Sequence, residues 1–580
     1  MGRARTPRSS PIARFTSRRS HLGLTLPALA LGWLCPWPAV AQEFTPPAAP
    51  DILPGPPGLG YGTPGAPGTT APVTAPTLTG LPSPLAGVAD LPTTGPTGPA
   101  YLIQPRLQLG EILTDNVLQT ATRRFADIES QLRPGISVIT DTPRLQGTLS
   151  ASAEYDKFAF TPGEDRLQGS LFTDSLATVV PGTVFIDLRS ALTEASGSGA
   201  TGFLNVNQLP RSQQTQVFTN TISPFYRTSF AGLDGELRYR FSSTSFSGGT
   251  LAIAPTTPGG TSTSAQDTTE HEATLTIGTG EAYGRLTSRL TVDAAKIEST
   301  SLAQSTQLNT YDDLQYQFND TVAATGRLGY NYSRYPLSPG ANLMSPTYLI
   351  GGQVQFGPRG FVSLQYGRQQ GTNGLNGSAH YDITPLTSVT ASLSQGRSSP
   401  QQQIQNALAT TTLTATGTLV NQTTGLPTSI VNPQFGLQTT IFDFRNFSLG
   451  VNSALGDNVF GLFAAYDQRI AVSSAAGSSS SKSLNFNWSR QLTPDLSSSA
   501  TLGYSTVTNA TLGTIPGAGN NNKSYTANLG LTYILAVDLT ASVLYSFIHL
   551  SNPIPTVIVT NPTSGSVVVN TLQLTITKVF

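Results

Sequence analysis

At 580 residues with only 11% charged side chains, the chain carries less charge than a soluble protein of its size normally does. A hydrophobic fraction of 38% and a mean hydropathy of −0.07 also exclude a bundle of apolar helices, each of which needs a run of about 20 apolar residues. What remains is a pattern that averages its membrane face away, since in a barrel strand every second residue meets lipid and the others meet a polar lumen.

Residues 1–42 hold six arginines and no acid, an apolar stretch from Leu22 to Leu34, and Ala39-Val40-Ala41 before Gln42. This is the layout of a secretory signal peptide over residues 1–41, with Ala39 and Ala41 as the small residues of the cleavage site. A membrane anchor fits less well, because the apolar region is short, contains Pro27 and is followed by Pro36 and Pro38. Arg18-Arg19 loosely resembles a twin-arginine signal, but that route carries folded cargo, and a barrel crosses the inner membrane unfolded. Cys35, the single cysteine, lies in the removed segment, so the mature chain is expected to have no disulfide, thiolate metal site or catalytic thiol. Without the six arginines, 26 basic residues face 32 acids, a net charge of −6. With no basic patch to meet it, nucleic acid is not an expected partner.

Residues 42–100 are dominated by proline and glycine, as in Ile52-Leu53-Pro54-Gly55-Pro56-Pro57-Gly58. Such a segment cannot bury a core and favours an extended polyproline conformation, reaching on the order of 170 Å from Thr45 to Ala100. It is expected to be a disordered periplasmic leader that acts as a spacer, contacts the cell wall or a partner, or lies in a lumen.

From Tyr101 the period of two takes over. Leu286, Ser288, Leu290 and Val292 alternate with Thr287, Arg289, Thr291 and Asp293, and the same rhythm returns at Leu484, Phe486 and Trp488 and at Leu529, Leu531 and Tyr533. Tight turns are expected at Phe318–Thr321, Phe356–Gly360, Ile383–Leu386, Leu455–Asn458 and Gln491–Leu496. Longer polar connections fall between them at Glu194–Gln213, Thr244–Gln266, Ser398–Gln434 and Val507–Lys523. Short turns alternating with long loops suggest one large antiparallel transmembrane β-barrel over residues 101–580, in the outer membrane, with about 20 strands in a range of roughly 18 to 22. A barrel this wide cannot be filled by its own side chains.

The last strand, Leu572–Phe580, carries Leu574 and Ile576 on one face and ends on Phe580, which resembles the terminal signal read by the barrel-assembly machinery. Lys578 departs from that pattern, which more often has an apolar residue there. Tyr366, Trp488, Tyr504 and Tyr533, with Tyr239, Tyr330, Tyr332 and Tyr545, suit aromatic girdles at the two membrane interfaces, or an inward track on which sugars stack.

Candidate chemistry is sparse. His271-Glu272 cannot pair, because adjacent strand residues point to opposite faces. His380 and Asp382 share a face, but no nucleophile can be assigned to them from sequence. Gly278–Gly284 superficially resembles a nucleotide loop but reads as a hairpin turn, and Asp312-Asp313 lacks the spacing of a calcium loop. No enzymatic role, cofactor or metal is expected.

Glu111-Ile112-Leu113-Thr114-Asp115-Asn116-Val117, followed by Leu132-Arg133-Pro134-Gly135-Ile136, resembles the opening of the β-barrel porins found with exopolysaccharide and capsule export systems, including those associated with PEP-CTERM sorting. That resemblance implies an outer-membrane barrel working with polysaccharide synthesis or export, and no catalytic residues. The leading expectation is a porin-like passage for solutes or polysaccharide. The alternative is a structural or tethering barrel whose leader binds the cell wall or an export partner. A TonB-dependent receptor or an autotransporter fits less well, since no plug-sized domain or passenger is visible ahead of the strands.

Overall fold

The computed structural model describes residues 100–580 apart from 197–208, 212–213, 248–266, 280–282, 300–303, 337–340, 414–418, 423–427, 432–440, 473–477, 510–520 and 552–565. The expected signal peptide, with Ala39 and Ala41, and residues 42–99 of the expected leader lie outside the described residues.

In chain order the strands are β1 (Tyr101–Thr114), β2 (Asp127–Asp141), β3 (Leu145–Phe158), β4 (Arg166–Val180), β5 (Val184–Ser196), β6 (Gln214–Phe230), β7 (Leu233–Ser247) and β8 (Thr268–Thr279). Then follow β9 (Leu286–Ser299), β10 (Ser305–Gln317), β11 (Val322–Arg334), β12 (Leu343–Gln355), β13 (Gly360–Gln369), β14 (Thr372–Thr384) and β15 (Thr387–Ser398). A helix, α1 (Pro400–Thr410), and a short ribbon, β16 (Thr411–Leu413) with β17 (Leu419–Asn421), come next. The sheet resumes with β18 (Phe442–Leu455), β19 (Asn458–Ala471), β20 (Ser478–Thr493), β21 (Leu496–Asn509), β22 (Asn521–Ala536), β23 (Leu539–Ser551) and β24 (Val567–Val579).

All strands except β16 and β17 form one 22-stranded antiparallel sheet, which β1 and β24 close through pairs running from Arg106↔Val579 to Thr114↔Thr571. The number is therefore 22 rather than about 20. Strands β13 and β14 join through the two-residue turn Gln370-Gly371 at φ 49° and 82°. Two positive φ values match the right-handed strand twist, so the chain reverses without the polar loop that marks other strand ends.

Inside-out polarity follows from the pleat. On β22 the outward Leu529, Leu531 and Tyr533 are about half exposed, while Thr526 and Asn528, pointing the other way, are buried. A soluble sheet would bury the leucines. Closure leaves no unpaired edge, which is what a backbone needs in hydrocarbon. Proline interrupts the ladder where its missing N–H falls, and β2 and β3 lose their pairing at Arg133-Pro134 while keeping the same register on either side.

The five expected tight turns all lie at one end of the barrel, where register shifts at Asp382/Thr384 and Gln491/Thr493 kink the strands into two of them. The four expected long connections lie at the other end. All four overlap strand ends, because β5, β7, β15 and β22 extend through Glu194, Thr244, Ser398 and Lys523. Gly278–Gly284 lies at the short-turn end between β8 and β9, with 280–282 outside the described residues. Both Tyr101 and Val579 also sit at the short-turn end.

Candidate functional site: the polar lumen and the helix that bridges it

The lumen wall divides by charge. Inward positions of the first eleven strands carry most of the barrel's buried ions, paired between neighbouring strands. Arg133 meets Glu154, Arg166 meets Asp156 at 2.7 Å and Glu129 at 3.3 Å, and Arg327 meets Asp313 at 2.5 Å. Each such pair loses hydration that only good geometry and further hydrogen bonds offset. Adjacent strands supply both, as where Gln131 donates to Glu129 and Glu154 at 2.9 and 3.0 Å.

The opposite wall is neutral. Among the described residues, no lumen-facing side chain of β20–β24 is charged; serine, threonine and asparagine predominate, for example Ser483, Asn485, Asn487, Thr526, Asn528 and Thr575. Ser505 and Ser524 share a hydrogen bond of 2.6 Å. Ser481 Oγ, Asn485 Oδ1, Asn487 Oδ1, Asn522 Oδ1 and Thr526 Oγ1 are buried without a partner. This wall thus keeps unspent hydrogen-bonding capacity and no fixed charge.

Helix α1 lies in the lumen against the charged wall and reaches β19. It starts where β15 ends, with Ser399 as its cap: the Ser399 hydroxyl accepts from Gln402 N, and Gln402 Oε1 accepts from Ser399 N, both at 3.2 Å. Its N-terminal half is tied to β10 by Gln402 Nε2 donating to Gln307 Oε1 at 3.2 Å, and to β19 by Arg469 donating to Gln403 Oε1 at 2.9 Å. Its C-terminal half packs on β5, β6 and β7. There Ile404 and Leu408, four residues apart and so on one face, join Phe172, Ala191, Ala195 and Val217 in an apolar patch of the wall.

Arg189 on β5 completes the attachment by donating to the carbonyls of Leu408, Ala409 and Thr411 at 3.5, 2.7 and 3.4 Å. A cation at a helix C-terminus satisfies orphan carbonyls and complements the dipole. Eleven helical residues span roughly 16 Å, a large part of a lumen whose backbone diameter is on the order of 40 Å. Ser398–Gln434, expected as an external connection, therefore includes a segment folded inward.

His380 and Asp382 face the lumen on β14, with Nε2 and Oδ1 3.3 Å apart. The structure adds the hydroxyl of Thr390, 3.2 Å from His380 Nδ1, which sequence alone had not connected to them. This relay of hydroxyl, imidazole and carboxylate sits on strands paired on both sides, where Thr390 stands opposite His380 and Gly450. Its backbone N–H groups belong to the ladders. His271 points outward to Tyr239, at 2.7 Å from its hydroxyl, and Glu272 inward to Arg240. Asp312 faces outward, where it accepts from Ser288 at 2.8 Å, and Asp313 faces inward.

Tyr366, Trp488, Tyr504 and Tyr533 all point outward. Trp488 and Tyr533 stand toward the short turns, and the Trp488 indole donates to Asn458 at 3.1 Å. Tyr504 and Tyr366 stand toward the other end, Tyr504 beside Tyr525 with ring centroids 5.1 Å apart. Leu574 and Ile576 are outward on β24, and Phe580 N donates to Pro105 O at 2.9 Å. A closed antiparallel barrel with its apolar side chains turned outward belongs in the outer membrane.

The sequence matches no protein-family model and no curated protein. Solved structures with a similar fold include the siderophore receptor PirA from Pseudomonas aeruginosa, at 10% identity and a TM-score of 0.37 over 82% of this chain and 80% of that one. Another is a mutant ferric enterobactin receptor PfeA from Pseudomonas aeruginosa in complex with enterobactin, at 11% identity and a TM-score of 0.44 over 82% of this chain and 81% of that one. OprD from Pseudomonas aeruginosa is a third, at 10% identity and a TM-score of 0.30 over 82% of this chain and 95% of that one.

The functional elements that periodicity alone passed over are α1 and its anchor Arg189. A local signal was present. Ser399 followed by Pro400 and, three residues on, by Gln402 is a capping-box start, and Ile404 with Leu408 repeats at four.

Proposed function

We propose that this barrel is a porin-like passage for neutral hydrophilic solutes or polysaccharide, with α1 setting its effective width. The observation that carries the reading is the uncharged wall of β20–β24, whose unpartnered hydroxyl and amide oxygens can exchange hydrogen bonds with sugar hydroxyls without selecting ions. The link to exopolysaccharide export rests on the resemblance carried by Glu111–Val117 and Leu132–Ile136. Planar-bilayer recording of the purified full chain tests it, together with uptake of a neutral oligosaccharide into proteoliposomes. Steady conductance and uptake are the expected results. No conductance after confirmed insertion overturns the passage.

A second reading, a tethering barrel, is favoured by the position of Tyr101 at the short-turn end, which is the periplasmic side in outer-membrane barrels. A leader continuing from there faces the cell wall and the periplasmic parts of export partners. Deleting Thr45–Ala100 separates the two: lost partner pull-down with unchanged transport supports tethering, and altered conductance supports a role in the passage.

A further inference from the structure

Arg106 on β1 faces the lumen and is 5% exposed, yet neither Nη1 nor Nη2 has a hydrogen-bond partner. A guanidinium is permanently charged and carries five donors, so a buried one without acceptors is unusual. Nearby arginines are satisfied by carboxylates, Arg133 by Glu154 and Arg166 by Asp156 and Glu129.

Gln104 stands opposite Ser137, and Arg106 opposite Gly135. Gln104 Oε1 and Ser137 Oγ are also buried and unpartnered. A Cβ on Gly135 would lie 2.7 Å from Arg106 Nε and 3.1 Å from the Ala151 carbonyl. The arginine side chain thus lies along the wall in space that only glycine leaves free. Two unmet Nη groups in one plane match the paired oxygens of a carboxylate. The Ser137 hydroxyl adds a donor, and the Gln104 oxygen accepts from a hydroxyl on the same ligand.

We infer that Arg106, Ser137 and Gln104 form an oxyanion site in the lumen wall that takes a hydroxylated carboxylate of the sugar-acid class. The carboxylate comes from a solute in the lumen. The site stands independently of the passage: a barrel that binds a sugar acid and conducts nothing keeps the site and removes the porin reading.

Calorimetric titration of the folded full chain in neutral detergent, at constant ionic strength, uses glucuronate as probe and glucose as the uncharged control. Saturable glucuronate binding without glucose binding is expected. Arg106→Gln should weaken it at least tenfold, Gly135→Ala at least threefold with the charge retained, and Arg289→Gln, on the inner face of β9, not at all. Folding of each variant is checked by heat-modifiable migration. Wild-type titration no different from glucose, or Arg106→Gln binding as well as wild type, overturns the site.

Discussion

Replacing Leu408 by alanine tests whether α1 is a separately docked unit. Leu408 is completely buried against Phe172, Ala191, Val217 and Ile404, and truncating such a leucine costs about 2–5 kcal/mol. An isolated helix of this length is marginal in water, so the loss falls on docking, while the ladders of the wall do not involve Leu408. At about 1.4 kcal/mol per decade, the undocked population rises roughly thirty-fold to a few thousand-fold. Hydrogen exchange read by mass spectrometry on peptides covering 400–413 measures it, with β20–β24 as the internal reference. The expected result is faster exchange in the helix alone. Exchange there rising less than about threefold in a folded barrel would refute the docking argument, and equal acceleration everywhere would show that α1 and the wall open together.

Arg189→Met should act in the same direction, removing charged hydrogen bonds worth about 1.5–3 kcal/mol while leaving the apolar patch, and the same exchange experiment reads it. Asp115→Ala should lower the temperature at which the barrel loses its fast-migrating gel form. Asp115 accepts from Asn570 N at 2.7 Å and Asn570 Nδ2 at 2.8 Å across the β1–β24 junction, whereas Asp141→Ala, at the opposite end of β2, should change it little. Leu529→Arg on the lipid face should destabilise the folded barrel by about 2–4 kcal/mol in urea titrations, while Thr532→Arg on the lumen side of the same strand should leave folding intact and shift ion selectivity. Ala231 holds φ 53° before Gly232, so Ala231→Asn should stabilise the hairpin by about 1 kcal/mol in the same titration.

Much of the barrel was legible because its strands obey one rule over long stretches. Alternation at Leu529, Leu531 and Tyr533 showed which side of β22 meets lipid, and proline, Gly-Asp or Asn-Asp marked the tight turns. The count was harder, since Gln370-Gly371 reverses the chain without a loop's usual composition. Helix α1 was hidden inside a polar run, where Ile404 and Leu408 are the apolar contacts and burial of its glutamines depends on a wall far away in sequence. Arg106 is the extreme case. Nothing local distinguishes it from any other strand arginine, and only the register that brings Gly135 beside it reveals that it has no partner.

The junction of β1 with β24 concentrates the entropic difficulty of folding in one place. Every other ladder links strands that are neighbours in the chain, apart from β15 and β18, which are separated by α1, β16 and β17, so most hairpins can form as soon as their own residues are available. The Asp115–Asn570 contact spans 455 positions, and closing a loop of that length costs about 5 kcal/mol on the logarithmic scaling. Assembly is therefore a zipper with a single late clasp: an unfinished cylinder exposes two raw edges until its final strand arrives, and whatever guides insertion must shield those edges and bring them together.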